Sequence, residues 1–410
     1  MIPLLRPHQQ RGFNSMEKYS LGQLIMPTGA GKTLTMIFDA IREFSNSIDK
    51  TIVVVAPRIL LAEQLSSEFL EHITNAHVMH VHSGETHHFS ATRPNTIRKW
   101  YENTDGHKLI FTTYNSLIRI QQSDIKVDTI YFDEAHNSVK KSFFESTQYF
   151  SENASRCYFF TATPKHSATI SKPGMNDGSV YGQVICSIPA PELVKGGFIV
   201  PPQVMVNQVN CDRDKDHAAE RDCMTLLDTI VNEDYMEKVL VAAPNTKVLM
   251  RMLAETEFMT EVQSYGYDVL WITAKYGAFI NNKKVSREVF FDTLTEWGKD
   301  SEKKFIILHY SILSEGINCP GLTSCIMMRN MDVIQMCQTI GRVIRVDQRD
   351  AARIRSGELI SGDLQNYSKA FGMIHVPVYS NTGIGTARRL QEVVDTVFVN
   401  GDAAISVAKR

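Results

Sequence analysis

A short segment near the start of the chain, residues 27–33 (PTGAGKT), has the residue types that bind phosphate groups. It follows an apolar run that ends at Met26 and precedes a helical pattern over residues 34–44. Glycines let backbone amides curl around phosphate oxygens, and a helix start adds partial positive charge. Lys32 could then reach the β and γ phosphates, and the Thr33 hydroxyl could hold Mg²⁺. The general pattern has glycine where this chain has Met26, so a glycine turn without this role is the alternative.

Two adjacent carboxylates, Asp133 and Glu134, follow an apolar stretch over residues 126–132 that predicts a β-strand. Open α/β sheets place their ligand crevices at the carboxyl ends of strands. Asp133 could therefore bind Mg²⁺, and Glu134 could orient the water that attacks a γ-phosphate. An acidic helix N-cap is the alternative for a lone Asp–Glu pair. The phosphate-binding pattern earlier in the same predicted sheet favours the nucleotide interpretation.

Short apolar runs alternate with helical patterns in two series, which predicts an α/β protein with parallel sheets and helices on both faces. The densest Gly and Pro punctuation falls at residues 195–202 (KGGFIVPP), so we expect one domain over 1–195 and a second over 203–410. Residues 372–379 and 388–399 predict a final strand and helix of the second domain. The other predicted strands are 51–56, 108–112, 129–132 and 156–161 in the first series, and 238–243, 268–273, 303–309 and 323–328 in the second.

Composition sets limits on the class of protein. The chain has 410 residues, 43% of them hydrophobic and 21% charged, which excludes a disordered, collagen-like or coiled-coil chain. The net charge of -2 gives no overall basic field, so any contact with nucleic acid must be local. The seven cysteines include no C-x-x-C pair, and no apolar stretch is long enough to span a membrane. These features predict free thiols in a cytoplasmic, intracellular protein without a membrane partner.

Taken in order, the motifs of the first series resemble those of superfamily 2 helicases of the DExH-box or DEAH-box type. Residues 6–9 (RPHQ) are similar to the upstream glutamine motif, and residues 26–33 resemble motif I in a variant without the first glycine. Residues 56–58 with Gln64 are similar to motif Ia, and residues 112–114 to motif Ib or Ic. Residues 133–136 (DEAH) correspond to motif II, and 161–164 (TATP) resemble motif III.

The second series adds two further motifs. Residues 314–318 (SEGIN) resemble motif V, and residues 338–345 (QTIGRVIR) match the Q-x-x-G-R-x-x-R pattern of motif VI. Arg342 and Arg345 are three positions apart, so on a helix they would share one face. Guanidinium groups can neutralise charge that develops on a γ-phosphoryl group, although two such arginines taken alone are more often surface ion-pair residues.

The resemblance implies two tandem RecA-like domains, with ATP and Mg²⁺ as cofactors. It also implies a role for each matching residue. These roles are ATP binding by Gln9, Thr28, Gly29, Ala30, Gly31, Lys32, Thr33 and Gly316; Mg²⁺ binding by Thr33 and Asp133; catalysis by Glu134, Gln338, Arg342 and Arg345; coupling of nucleotide state to movement by His136, Thr161 and Thr163; and nucleic-acid contacts by Arg58, Thr112 and Thr113.

The sequences around these motifs resemble most the branch that contains restriction-enzyme motors, excision-repair helicases and phage recombination helicases. This implies an ATP-driven helicase or translocase, with DNA favoured over RNA. An RNA-dependent ATPase and a nucleotide-gated clamp or scaffold that does not translocate stay open as alternatives. Because no separate wedge domain is visible, a protein partner or an insertion would have to supply specificity or a strand-separating pin.

Five histidines fall within residues 77–88, and His80 and His82 could share a strand face as metal ligands. No cysteine or carboxylate cluster in the sequence completes such a site. The sequence therefore favours structural or surface roles for these histidines.

Overall fold

The computed structural model describes residues 4–84, 86–169, 171–310 and 319–408. The chain divides into two compact units. The first comprises Met1–Pro189 and Ala403–Arg410, and the second comprises Ala190–Asp402.

The first unit is built on a parallel sheet with the strand order β4-β3-β5-β2-β6-β7-β1-β9 over its described residues. The central strands are buried along their whole length, as expected for Val-, Ile- and Phe-rich strands covered on both faces. A separate pair, β8 and β18, is also parallel. The strands are β1 (Leu21–Ile25), β2 (Thr51–Ala56), β3 (His77–Val81), β4 (Phe89–Ser90), β5 (Lys108–Thr113), β6 (Thr129–Phe132), β7 (Arg156–Thr161), β8 (Lys165–Ser167), β9 (Val184–Ser187) and β18 (Ser406–Ala408).

Helices connect these strands, so that successive parallel strands are joined by crossovers. Their buried faces pack on a core that includes Val53, Ile110 and Phe159. The helices are α1 (Pro7–Lys18), α2 (Lys32–Ser45), α3 (Ile59–Leu70), α4 (Pro94–Glu102), α5 (Leu117–Ser123), α6 (Lys141–Asn153) and α7 (Gly178–Tyr181).

The second unit has a mainly parallel sheet with the strand order β10-β17-β16-β11-β15-β12-β13-β14 over its described residues. Among the described strands of this sheet, the pairs β12–β13 and β13–β14 are antiparallel, and Asn281 and Asn282, with φ values of 45° and 65°, form the two-residue turn between β13 and β14. The strands are β10 (Pro202–Val209), β11 (Lys238–Ala242), β12 (Asp268–Thr273), β13 (Gly277–Ile280), β14 (Lys283–Val285), β15 (Phe305–His309), β16 (Ser324–Met327) and β17 (Gly372–Tyr379).

Helices flank this sheet as well, and the core between them includes Leu226, Val241 and Phe258. The helices are α8 (Ala190–Lys195), α9 (Ala218–Val231), α10 (Thr246–Glu255), α11 (Phe258–Ser264), α12 (Arg287–Lys299), α13 (Val333–Val343), α14 (Gln348–Ser356) and α15 (Ile384–Val394), the last continued by a π-helical turn at Asp395–Val399. The predicted α/β class with two mainly parallel sheets is confirmed.

The division between the units differs in detail from the expected boundaries of 195 and 203. Gly196 and Gly197 end α8 inside the second unit, where Phe198 N donates to Leu193 O at 2.9 Å, so these glycines cap a helix. At the other end, β18 belongs to the first unit, where it pairs with β8. The Gly and Pro residues therefore mark the end of a helix. The pairing of β18 with a strand of the first unit could not be predicted from the sequence.

Within the described ranges, no helix is both long and apolar enough to cross a membrane. The seven cysteines are free thiols, and six of them are buried.

Candidate nucleotide and nucleic-acid sites

The segment between β1 and α2 forms a glycine turn at the carboxyl end of the sheet. Gly29 and Gly31 have φ values of 89° and 78°, a backbone region that glycine adopts without strain. Helix α2 begins at Lys32, directly after this turn. Met26 is fully buried, and its N–H donates to Thr161 O at 2.9 Å. The residue that departs from the general pattern therefore extends the sheet and fills the core.

Helix α1 holds this turn from one side. Gln9 Nε2 donates to Ala30 O at 3.1 Å and to Gly31 O at 3.3 Å, while Gln9 Oε1 accepts from Arg6 N at 2.9 Å. The ring nitrogen Nε2 of His8 is 2.9 Å from Ala30 O. A Cβ atom at Gly31 would lie 2.1 Å from Gln9 Nε2. The structure thus brings Gln9 to the glycine turn between β1 and α2, and adenine recognition by Gln9 stays a prediction.

The turn and the acidic end of β6 meet through an ion pair. Lys32 Nζ is 3.2 Å from Glu134 Oε1, and both side chains are largely buried. Burial favours the neutral form of Lys32, but the carboxylates of Glu134 and Asp133 outweigh it and raise the pKa of Lys32. The ammonium group is therefore charged at neutral pH and is paired with the Glu134 carboxylate.

Asp133 is a buried carboxylate at the end of β6. Burial and the neighbouring charge of Glu134 raise its pKa to about 7, against the opposing effect of Lys32. The Tyr114 hydroxyl donates to the Asp133 carbonyl at 2.8 Å and fixes the backbone there. A buried carboxylate that repels its neighbour is suited to a cation, and carboxylate and hydroxyl oxygens are ligands that Mg²⁺ prefers. Thr33, in the first turn of α2, offers such a hydroxyl.

Glu134 adopts a left-handed conformation with φ 46°, which is uncommon for a residue with a side chain. A short 3₁₀ helix, Ala135–Asn137, follows and carries His136 to the end of β7. His136 Nδ1 is 3.0 Å from Thr161 Oγ1, 3.4 Å from Thr163 Oγ1 and 3.5 Å from Glu134 Oε2. The structure brings together the residues expected to couple motif II to motif III, and the coupling itself stays a prediction.

A buried charge network that the sequence analysis missed anchors α2 to the sheet. Asp39 is fully buried on α2 and accepts from Arg156 Nη1 at 3.0 Å, from Arg156 Nη2 at 2.9 Å and from the Tyr131 hydroxyl at 2.7 Å. Arg42 also donates to Asp39. Arg156 lies on β7 and Tyr131 on β6, so the helix that starts at Lys32 is tied to two strands.

The expected nucleic-acid contacts are placed unevenly. Arg58 is exposed at the start of α3, just after β2. Thr112 is fully buried, and its hydroxyl donates to Val81 O at 2.8 Å inside the sheet. Thr113 is also buried, with its hydroxyl 3.3 Å from Ser116 Oγ. A surface contact by the two threonine hydroxyls does not agree with this burial, since Thr112 pairs with Val81 of β3 and Thr113 pairs with Ala56 of β2.

The turn that follows β5 is more exposed than the two threonines. Asn115 is exposed and Ser116 is half-buried there. Because β2 and β5 are neighbouring parallel strands, this turn and Arg58 lie at the same edge of the sheet. The position directly after a strand is the sequence signal that would have found them.

In the second unit, the residues expected to catalyse lie around the end of α13. Arg342 is buried within the helix, but α13 ends at Val343, so Arg345 lies beyond it and forms an isolated bridge with Ile199. The expectation that one helix face carries both arginines is therefore wrong, because the helix stops two residues too early. Gly316 lies outside the described residues.

Two side chains with buried polar atoms, Gln338 and His309, lie in the same unit. Both amide atoms of Gln338 are buried without a hydrogen-bond partner among the described residues, as are both ring nitrogens of His309 at the end of β15. Burial, together with the charges of Arg342 and Arg329, lowers the pKa of His309 to about 3. His309 was not found by sequence reasoning, because no local pattern distinguishes it from a core histidine.

Comparisons with known proteins bear on this geometry. Residues 3–166 match the sequence model of the family described as Type III restriction enzyme, res subunit. No curated protein matches the chain.

Among solved structures, the chain is similar to the ATP-dependent Type ISP restriction-modification enzyme LlaBIII bound to DNA, with a TM-score of 0.72 and 16% identity over 99% of this chain and 31% of that chain. A nuclease-deletion mutant of the Type ISP enzyme LlaGI in complex with a DNA substrate mimic gives a TM-score of 0.65 and 19% identity, over 98% and 30% of the two chains. A fragment of an HsdR subunit of a type I restriction enzyme from Vibrio vulnificus YJ016 gives a TM-score of 0.62 and 16% identity, over 98% of this chain and 68% of that chain.

The predicted resemblance is confirmed by these matches. Residues 3–166 of the first unit resemble the res-subunit family, and the chain has a fold of two RecA-like units. The chain spans about a third of the length of the two Type ISP enzymes.

Proposed function

We propose that the chain is an ATP-hydrolysing motor that moves along nucleic acid, with DNA favoured over RNA. The observation that carries the proposal is the pairing of Lys32 Nζ with Glu134 Oε1 at 3.2 Å, beside the buried carboxylate of Asp133. The phosphate loop and the acidic strand end come from distant parts of the sequence, and their meeting at one edge of a parallel sheet supports a nucleoside triphosphate site.

Each group has a proposed task in this site. The backbone amides of the glycine turn and Lys32 bind the phosphates, and Thr33 and Asp133 are the residues that would hold Mg²⁺, which supplies charge neutralisation to the phosphates. Phosphate oxygens would draw Lys32 away from Glu134. The carboxylate of Glu134 then becomes available to orient and accept a proton from the attacking water.

DNA is favoured because the structures of LlaBIII and LlaGI to which the chain is similar contain DNA or a DNA mimic. Arg58, Asn115 and Ser116 form a local edge of one cation and polar groups, the type of surface that contacts a phosphate backbone. Binding through the backbone suits a protein that must move along its track. Gln338, Arg342 and Arg345 are proposed to assist hydrolysis, with charge neutralisation as the role of the arginines.

The test compares ATP turnover of Lys32→Ala, Glu134→Gln and a control, Lys99→Ala, which removes an exposed lysine of α4. Each is assayed with double-stranded DNA, single-stranded DNA and RNA. Lys32→Ala should lower turnover at least about 100-fold because the phosphates lose their side-chain cation, and Lys99→Ala should not. Glu134→Gln should retain ATP binding and lose hydrolysis, because the phosphate and metal ligands survive.

Displacement of a triplex-forming strand from duplex DNA then separates movement from binding. A motor displaces the strand only with ATP, and Glu134→Gln does not. Stimulation by RNA alone would support the RNA-dependent ATPase, and ATP-dependent binding without displacement would support a clamp. Turnover of Lys32→Ala near that of the unchanged chain would refute the ATPase itself.

A further inference from the structure

In the first unit, three side chains bring together one carboxylate oxygen and two imidazole nitrogens, which are atoms of the kinds that bind metal ions. Glu63 lies on α3, His80 lies on β3, and His82 follows β3 directly. Glu63 Oε1 is 3.2 Å from His80 Nδ1 and 3.1 Å from His82 Nε2, and the two ring nitrogens are 3.0 Å apart. The sequence analysis found no carboxylate to complete this site, and the structure supplies one from helix α3, seventeen residues upstream of His80.

The size of this triangle suits a small divalent ion. In a tetrahedral zinc site with bonds of about 2.0–2.1 Å, neighbouring ligand atoms are about 3.3 Å apart. The edges observed here are 3.0, 3.1 and 3.2 Å, so a small outward movement of the side chains would accommodate the ion. Two imidazoles and one carboxylate are a ligand set that Zn²⁺ accepts with a further position open to water.

The carboxylate is also poorly satisfied without an ion. Glu63 Oε1 is buried and has no hydrogen-bond partner among the described residues, although both histidine rings are within 3.2 Å. The distances are those of an ion pair, but the ring N–H directions do not point at the oxygen, and we regard the direction as decisive for a hydrogen bond. The two rings share a hydrogen bond between His80 Nδ1 and His82 Nε2, and the carboxylate oxygen that lies close to both rings is the atom left without one in the part of the chain that the structure describes.

Outer contacts hold two of the three groups in place. The Thr86 hydroxyl donates to Glu63 Oε2 at 3.2 Å, and Ser66 Oγ is 2.9 Å from His80 Nε2. Metal ligands usually have such partners on their second polar atom. The rings are buried, and burial lowers the pKa of both, so both are neutral at pH 7, the form that can coordinate.

We propose that Glu63, His80 and His82 bind a divalent transition metal ion, with Zn²⁺ as the expected ion, and that the ion ties α3 to β3. The Glu63 side chain is 29% exposed, so the ion and a water ligand would enter on its side. Gly84 N–H donates to His82 Nδ1 at 3.2 Å, which places the ring proton on Nε2. Binding at Nε2 moves that proton to Nδ1, so the Gly84 peptide must turn away.

The experiment measures zinc bound by the full chain after treatment with a chelator, in excess Mg²⁺ and without nucleotide. The unchanged chain should bind one equivalent, and its melting temperature should rise by about 3–6 °C at ten times the dissociation constant. Glu63→Gln should weaken zinc binding more than about 100-fold, because it removes a charged ligand, yet its partly exposed position lets the chain fold. His77→Gln, an exposed histidine of the same strand, is the matched control and should bind zinc normally.

Two other variants make the result decisive. His82→Gln should lose zinc like Glu63→Gln, with circular dichroism confirming that it is folded. His87→Gln changes an exposed histidine of the neighbouring loop and should not affect binding. The proposal is overturned if the unchanged chain binds no stoichiometric zinc. It is equally overturned if Glu63→Gln binds as tightly as His77→Gln, since the zinc would then lie on the cysteines or on other histidines.

Discussion

Replacement of Asp39 by Asn tests how helix α2 is held against the sheet. Asp39 accepts two hydrogen bonds from Arg156 at 2.9 and 3.0 Å and one from the Tyr131 hydroxyl at 2.7 Å. An asparagine keeps one acceptor oxygen and turns an NH₂ group toward the guanidinium. At least two charge-assisted hydrogen bonds are therefore lost, each worth about 1.5–3 kcal/mol.

The remaining contacts of Arg156 offset part of this loss of hydrogen-bond free energy. Arg156 keeps a contact with Glu43 at 2.9 Å and with Met16 O at 2.8 Å, so it is not left without a partner. We therefore expect a net destabilisation of about 2–4 kcal/mol, below the full cost of an unpaired buried charge. Because every 1.4 kcal/mol is tenfold, amides of α2 and β7 that exchange through the same opening should exchange about 30 to 700 times faster.

Hydrogen exchange followed by mass spectrometry measures this directly, peptide by peptide, and does not require the two units to unfold together. Glu17→Gln is the control, because Glu17 is 65% exposed and lies 3.9 Å from the Arg42 guanidinium. An exposed pair of this kind contributes about 0–1 kcal/mol. If Asp39→Asn is folded and its α2 peptides exchange within twofold of the control, the network does not anchor the helix and the argument fails.

Three further outcomes are expected. Gly31→Ala should weaken ATP binding, because its Cβ would lie 2.1 Å from Gln9 Nε2 in a left-handed backbone, whereas Gly178→Ala, whose Cβ meets open space, should bind a fluorescent ATP analogue normally. Arg345→Ala should lower nucleic-acid-stimulated turnover at least about 100-fold with little change in ATP affinity, and an unchanged kcat would contradict the role proposed for its charge. Nucleic-acid binding should weaken steeply with salt, and Arg58→Ala should reduce the slope of log K against log salt by about one if its guanidinium contacts a phosphate.

The architecture could be predicted from the sequence because its signals are local. The strand β2 coincides with the expected residues 51–56, and β17 with 372–379, since each is a continuous apolar run bounded by turn residues. The hairpin at Asn281 was missed, although two consecutive asparagines are typical of such a turn. The pairing of β18 with β8 depends on contacts between segments far apart in the chain, which no local pattern encodes.

The site was predictable to the extent that its residues occur in contiguous motifs. Lys32 and Glu134 were both expected at one nucleotide site, and the structure places Lys32 Nζ 3.2 Å from Glu134 Oε1. The burial of Thr112 could not be predicted, because the exposure of a strand residue depends on its neighbouring strands. Here Thr112 pairs with Val81 of β3, and its hydroxyl donates to Val81 O. Asp39 and Arg156 are 117 positions apart, and an ion pair at that separation leaves no periodic signal.

The conformation of Glu134 shows why the acidic strand end and the following histidine should act as one unit. Its φ of 46° is a backbone state of some energetic cost, and the surrounding contacts must compensate for it. Lys32 lies 3.2 Å from one carboxylate oxygen, and His136 lies 3.5 Å from the other. His136 is in turn 3.0 Å from the Thr161 hydroxyl. We propose that a ligand that withdraws Lys32 changes the contacts of Glu134, and that the first displacement then passes through His136 to the end of β7.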